Sequence, residues 1–130
     1  MSTLDEWIRK ELTVDIESEL SKYKEKVKTL ISLTPSGEVL LKSSNLTAKE
    51  KILAYLIGKT YANVANYSEG TATNKELIDA LHLPEGTVKF CLFELRKEGL
   101  ILSVESGVHQ VKVASVGMAF EKYFGGEKKK

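Results

Sequence analysis

Apolar positions in this chain recur mostly at helical spacing, and polar breaks divide them into separate runs. From Leu4 to Leu33 there is no proline or glycine, and charged residues alternate with apolar ones, which predicts one long amphipathic helix over residues 1–34. Within it Ile16, Leu20, Tyr23, Val27 and Leu30 fall on one seam, as the a and d positions of a heptad repeat do. Such a seam can dimerise with a second copy or pack on the chain's own core, and periodicity does not separate the two. Leu4, Trp7, Ile8 and Leu12 form a distinct apolar patch. Pro35-Ser36-Gly37 ends the helix, Glu38 to Lys42 reads as a short strand, and residues 35–45 together form a strand and linker.

The main module is expected over residues 46–124. Thr47-Ala48-Lys49-Glu50 is a capping box, so a helix starts at Ala48 and buries Ile52, Leu53, Leu56, Ile57 and Tyr61. A polar stretch, Asn63 to Gly70, follows it. Thr73-Asn74-Lys75-Glu76 is a second box, opening a short helix with Leu77, Ile78 and Leu81 inward. Leu83-Pro84-Glu85-Gly86 makes a turn and a helix start, because proline's missing amide costs nothing in the first turn. That helix runs to Glu98 and stops at Gly99. Strands Leu100 to Val104 and Val108 to Val113, joined by Ser106-Gly107, read as a hairpin. Ser115 to Phe124 closes the module as a helix, and residues 125–130 form a flexible basic tail.

The run from Thr73-Asn74-Lys75-Glu76-Leu77 through Ala80-Leu81-His82-Leu83-Pro84-Glu85-Gly86-Thr87-Val88 to Leu92, Leu95 and Glu98-Gly99-Leu100-Ile101 resembles the winged helix-turn-helix of bacterial and archaeal regulators. The resemblance covers residues 46 to 124. It implies a mainly α fold with a small β-hairpin wing, preceded here by the long N-terminal helix. It also implies a homodimeric transcription regulator that sets its third helix in the major groove of double-stranded DNA and its wing on a flanking groove or backbone. His82 stands where such families often carry glycine, which implies a positive φ that histidine tolerates at a cost of ~1 kcal/mol.

Charge bears on that expectation. The chain has a formal net charge of +1, far from the strongly basic balance of many nucleic-acid binders. Between Thr73 and Gly99, four cations (Lys75, Lys89, Arg96, Lys97) face five carboxylates (Glu76, Asp79, Glu85, Glu94, Glu98), a local net charge of −1. Candidate phosphate contacts are Asn74, Lys75, Lys89, Lys97, His109 and Lys112, and Thr87, Lys89 and Phe90 are candidates for reaching bases. The alternative is a winged-helix protein-interaction module with Phe90 and Phe93 as anchors and no sequence-specific DNA binding.

Composition excludes other classes. Apolar residues make up 42% and charged residues 28% of 130 residues, the balance of one globular domain. No apolar run approaches a membrane span, the acidic start is unlike a secretory signal, and the single cysteine, Cys91, points to a reducing, cytoplasmic setting. His82 and His109 have no nearby nucleophile or carboxylate cluster, and there is no phosphate-binding glycine loop. No enzyme, metal site or cofactor is therefore expected.

Overall fold

A computed structural model describes residues 3–12, 15–43 and 45–124. The basic tail expected at 125–130 lies outside the described residues. The order of elements is α1 (Thr3–Trp7), a π-helical turn (Ile8–Leu12), α2 (Ile16–Ser21), α3 (Lys24–Leu30), β1 (Ile31–Leu33), β2 (Val39–Leu41) and α4 (Ala48–Val64). Then come β3 (Ala72–Thr73), α5 (Asn74–Leu81), α6 (Glu85–Lys97), β4 (Ile101–Glu105), β5 (Val108–Val111), a 3-10 turn (Val113–Ser115) and α7 (Val116–Tyr123). No helix among the described residues is long and apolar enough to cross a membrane.

The centre of the fold is α4. Thr47 and Glu50 form the expected reciprocal cap, with Thr47 Oγ1 accepting from the Glu50 amide and Glu50 accepting from the Thr47 amide. Every residue from Ile52 to Thr60 is buried, so no side of this helix faces water along that stretch. The hairpin β1–β2, the helices α5, α6 and α7 and the strand β5 all pack against it. A helix covered all round needs partners for its polar groups. Thr60 Oγ1 donates to the Leu56 carbonyl at 3.2 Å, Tyr55 Oη donates to Glu76 at 2.7 Å, and Lys59 Nζ pairs with the same carboxylate at 3.1 Å.

The single helix expected from Leu4 to Leu33 is broken. Asp15 caps a new helix by accepting from the Ser18 amide at 3.3 Å. The chain then turns at Lys22 and Tyr23, where the Leu20 carbonyl accepts from both the Tyr23 amide at 3.1 Å and Tyr61 Oη at 2.6 Å. Tyr23 swings inward, stacks on Phe120 with ring centroids 5.3 Å apart, and sets its hydroxyl over Gly117. Leu20 and Leu30 are buried, and Tyr23 and Val27 pack against the same core. Four of the five seam residues are thus spent inside the chain, and only Ile16 stays exposed, at 48%.

Ile31 to Leu33 is also strand instead of helix. It pairs antiparallel with Val39 to Leu41, in the register Ile31 with Leu41 and Leu33 with Val39. Pro35-Ser36-Gly37 is the turn of that hairpin, with Gly37 at φ +93°. The hairpin lies on α4 at Gly58, where an added Cβ would stand 2.6 Å from Val39 Cγ1 and 3.0 Å from Ile31 Cδ1.

Past α4 the expected helix-turn-helix and hairpin are present. Thr73 Oγ1 caps α5 by accepting from the Glu76 amide at 3.0 Å, but Glu76 does not complete a reciprocal box, because its carboxylate is drawn to Tyr55 and Lys59. His82 ends α5 at φ 56°, in the left-handed region the resemblance implies. Gly99 follows α6 at φ 82°. The hairpin gains a third, short strand that the sequence reading lacked, giving the order β3-β5-β4 with Ala72 opposite His109.

Gly58→Ala tests how closely the hairpin sits on α4. Alanine favours an exposed helix interior by about 1 kcal/mol over glycine, whereas overpacking a core typically costs about 1–3 kcal/mol. With Val39 this near, Gly58→Ala should lower the denaturation midpoint, and adding Val39→Ala should recover part of the loss.

Candidate nucleic-acid interface

The outer face of α6 and the hairpin β4–β5 enclose a concavity of about 370 Å³, lined by Asn74, Lys89, Leu92, Arg96, Ser103, Ser106, Gly107 and His109. Three elements place these side chains. Helix α6 buries Val88, Cys91, Leu92 and Leu95, which turns Lys89 and Arg96, two helical turns apart, to one outer side. The hairpin supplies the opposite wall. The first residue of α5 holds the hairpin: the Asn74 amide donates to the Gly107 carbonyl at 3.1 Å, and His109 Nε2 lies 2.5 Å from Asn74 Oδ1.

His109 is 3% exposed, with Nδ1 buried and without a hydrogen-bond partner among the described residues. Burial pushes its imidazole below the ordinary histidine range, and the nearby Arg96 charge adds to this. A neutral ring that donates from Nε2 to Asn74 leaves Nδ1 as the bare acceptor, consistent with both observations. His109, expected as a phosphate contact, is therefore a positioning residue that holds the hairpin to α5. Asn74, its partner, is half-buried.

The other expected contacts divide by partner. Lys75 and Lys89 are exposed but paired within their own helices, Lys75 with Asp79 and Lys89 with Glu85, each at 3.0 Å. Lys97 stands over the Phe93 ring at 5.3 Å. Phe90 and Phe93 remain 62% and 51% exposed, covered neither by the N-terminal segment nor by the loop at 63–71. Thr87 is half-buried in the first turn of α6, and Lys112 is exposed just past β5, outside the concavity. Of the sequence candidates, the concavity gathers Asn74, Lys89 and His109 only.

Three acids of this region are drawn away from the outer face. Lys49, from the first turn of α4, pairs with Glu98 at 2.7 Å and with Glu94 at 3.7 Å. Lys122 and Tyr123 of α7 also reach Glu98, at 3.0 and 2.6 Å. Burial raises the Glu98 carboxyl, but the hydrogen bonds from Lys49, Tyr123 and Lys122 outweigh it and bring the group down to about 2. Glu76 is held by Tyr55 and Lys59. Three of the five carboxylates thus point to α4 and α7, and the other two are matched by Lys75 and Lys89. Among the described residues Arg96 and Lys97 have no carboxylate partner. Sequence reasoning counted Arg96 but did not place it. Its seven-residue offset from Lys89 was the available signal, whereas the pull of Lys49 on Glu94 and Glu98 spans too much chain to be read locally.

Residues 67–101, which carry α5, the turn, α6 and the start of β4, match the winged helix-turn-helix DNA-binding family. This segment has the helix-turn-helix of that fold, and β4–β5 continues from it as the hairpin. The chain is also similar to a CUB1 family protein of Schizosaccharomyces pombe, 30% identical over 101 residues that make up 77% of this chain and 22% of that protein. It spans about a fifth of that relative's length. No solved structure gives a significant match. In winged-helix terms α6 is the recognition helix and β4–β5 the wing. Cys91 lies on the inner side of that helix, where burial pushes its thiol up, as befits a packing residue. Among the described residues no group of three or more His, Cys, Asp or Glu could hold a metal ion.

Two outcomes follow. Glu98 ionises at about 2 in the fold against an ordinary 4.5, so its contribution to stability is present above pH 4.5 and lost as pH falls towards 2. In Glu98→Gln the acid-induced drop in melting temperature across that window should shrink, and stability at pH 7 should fall. Asn74→Ala leaves the buried His109 ring without its partner, which should cost about 1–3 kcal/mol in chemical denaturation.

Proposed function

We propose that the chain binds double-stranded DNA as a regulator of transcription, with α6 in the major groove and the β4–β5 wing on a flanking groove or the backbone. One observation carries this reading: among the described residues the five carboxylates between Thr73 and Gly99 each meet a cation, while Arg96 and Lys97 stand on the outer face without a carboxylate partner. A local net charge of −1 therefore does not describe the face a duplex would meet. In this reading Lys89, Arg96 and Lys97 take phosphates beside α6, Lys75 takes one at the start of α5, and Ser103, Ser106 and Lys112 take them from the wing. Thr87 and Phe90 lie where base edges pass, with Phe90 suited to thymine methyl groups. Lys75 and Lys89 exchange an exposed intrahelical ion pair for a phosphate at small cost, since such pairs are worth about 0.3–0.5 kcal/mol. So few cations make a modest footprint. Two copies acting together double it, which favours a homodimer on paired half-sites.

A second reading rests on the exposure of Phe90 and Phe93, which would also serve as anchors for a protein partner. Salt separates the two. Duplex binding driven by phosphates weakens with salt at a logarithmic slope of about 0.9 per contact, whereas an aromatic interface largely survives. Binding to a mixed-sequence duplex should fall steeply between low and physiological salt, and Arg96→Ala should weaken binding and reduce the slope by about 1. An absence of duplex binding at low salt would rule out the DNA reading and favour the protein partner.

A further inference from the structure

The hairpin β1–β2 leaves the outer edge of β2 without a neighbouring strand. The Thr34 amide donates to the Glu38 carbonyl at 3.0 Å and the Lys42 amide to the Leu30 carbonyl at 2.8 Å, with Ser32 paired to Leu40 between them. In an antiparallel ladder, residues whose backbone faces the partner strand alternate with residues whose backbone faces away. The amides and carbonyls of Val39 and Leu41 are therefore turned outward. The sheet has two strands, and no hydrogen bond of the described residues uses those outward groups. Beside the edge lies an open concavity of about 400 Å³ whose lining, Val39 to Ser43 with Lys51, Ala80 and Leu81, includes no other strand.

The side chains follow the same alternation. Val39 and Leu41 turn towards the core, while Glu38, Leu40 and Lys42 are exposed, Leu40 at 50% in mid-strand. A large apolar side chain on an open edge is the feature that soluble proteins usually avoid. The order of residues suits one occupant in particular. When the strand is set antiparallel to a second copy with Leu40 on the two-fold axis, Val39 falls opposite Leu41 of the partner subunit, so the outward backbone groups meet. The two Leu40 side chains then face each other at a close, non-hydrogen-bonded position. In the same register Glu38 faces Lys42 of the partner subunit, and Lys42 faces Glu38 of the partner subunit. Glu38 has no ion-pair partner among the described residues. Lys42 Nζ donates one bond, to the Lys28 carbonyl at 2.6 Å, and keeps two N–H groups.

We propose that β2 is the seam of a homodimer, joining two hairpins into one four-stranded antiparallel sheet across an isologous interface. The expected seam on the N-terminal helices is spent in the core, and Glu38-Val39-Leu40-Leu41-Lys42 is complementary to itself in hydrogen bonding, shape and charge. The inference stands apart from DNA binding, because it concerns the protein alone. A short edge makes a small interface, and small interfaces are transient.

Sedimentation of the full chain without DNA, over a concentration series, tests it. Wild type should associate to a dimer, and Leu40→Asp should sediment as a monomer. Glu38→Lys sets like charges opposite each other twice, and should weaken the dimer about tenfold. Combining Glu38→Lys with Lys42→Glu restores opposite charges in the same register, and should return affinity to within about threefold of wild type. Circular dichroism checks that each variant is folded; if Leu40→Asp is not, the charge variants decide. A wild-type monomer at every concentration overturns the proposal, and points to a peptide of another protein as the edge's occupant. A dimer that survives Leu40→Asp places association elsewhere, as on exposed Trp7 and Leu12. Failure of the double variant to recover overturns the register.

Discussion

Covering α4 on every side is the constraint from which the rest of the arrangement follows. A helix with one apolar stripe needs one neighbour, but the run from Ile52 to Thr60 has no exposed side and needs a ring of them. The β1–β2 hairpin fills the side at Gly58, α5 and α6 fill others, and α7 and β5 complete the ring. The polar members of the run must be matched at the same time. Glu76 answers both Tyr55 and Lys59, and so fixes where α5 begins. Removing that carboxylate alone would leave a nearly buried ammonium unpaired, the costly way to break such a contact.

The same central helix sorts the charges of the outer module. Lys49 sits in its first turn and gathers Glu94 and Glu98, which turns the acidic side of α6 inward and leaves Arg96 and Lys97 outside. Summed over the segment the charge is unfavourable to a polyanion. Sorted by face it is not. Electrostatic attraction to a phosphate backbone depends on which charges the ligand meets and how far the others lie, since screening mutes contributions beyond about 8–10 Å at ordinary salt.

Much of the fold was legible in local sequence. Thr47 and Thr73 mark their helix starts through side-chain caps, His82 and Gly99 mark the ends through left-handed backbone, and Ser106-Gly107 marks the hairpin turn. Each signal needs only a few neighbouring residues. What failed was whatever depends on distant partners. Ile31 to Leu33 reads as helix by periodicity and becomes strand because Val39 to Leu41 offers it a ladder over α4. Tyr23 reads as a seam residue and instead finds Phe120. The second capping box is half made because Glu76 has stronger partners elsewhere. In the candidate site, Lys89 is where its spacing places it, but His109 is buried, its strand paired with β3, a two-residue strand too short to announce itself, and its ring hydrogen-bonded to Asn74.

The anchoring of the outer module is divided. The end of α6 is fastened to α4 and α7 through Glu98, whereas the wing is fastened to the start of α5 through Asn74 and His109. The two walls of the concavity are therefore held at different places, one where α6 ends at Glu98 and the other where the wing turn meets Asn74. Since α6 runs into β4 through Gly99 and packs on α5, the span between helix and wing is pinned at both ends, and a change at either anchor would be felt across the whole concavity.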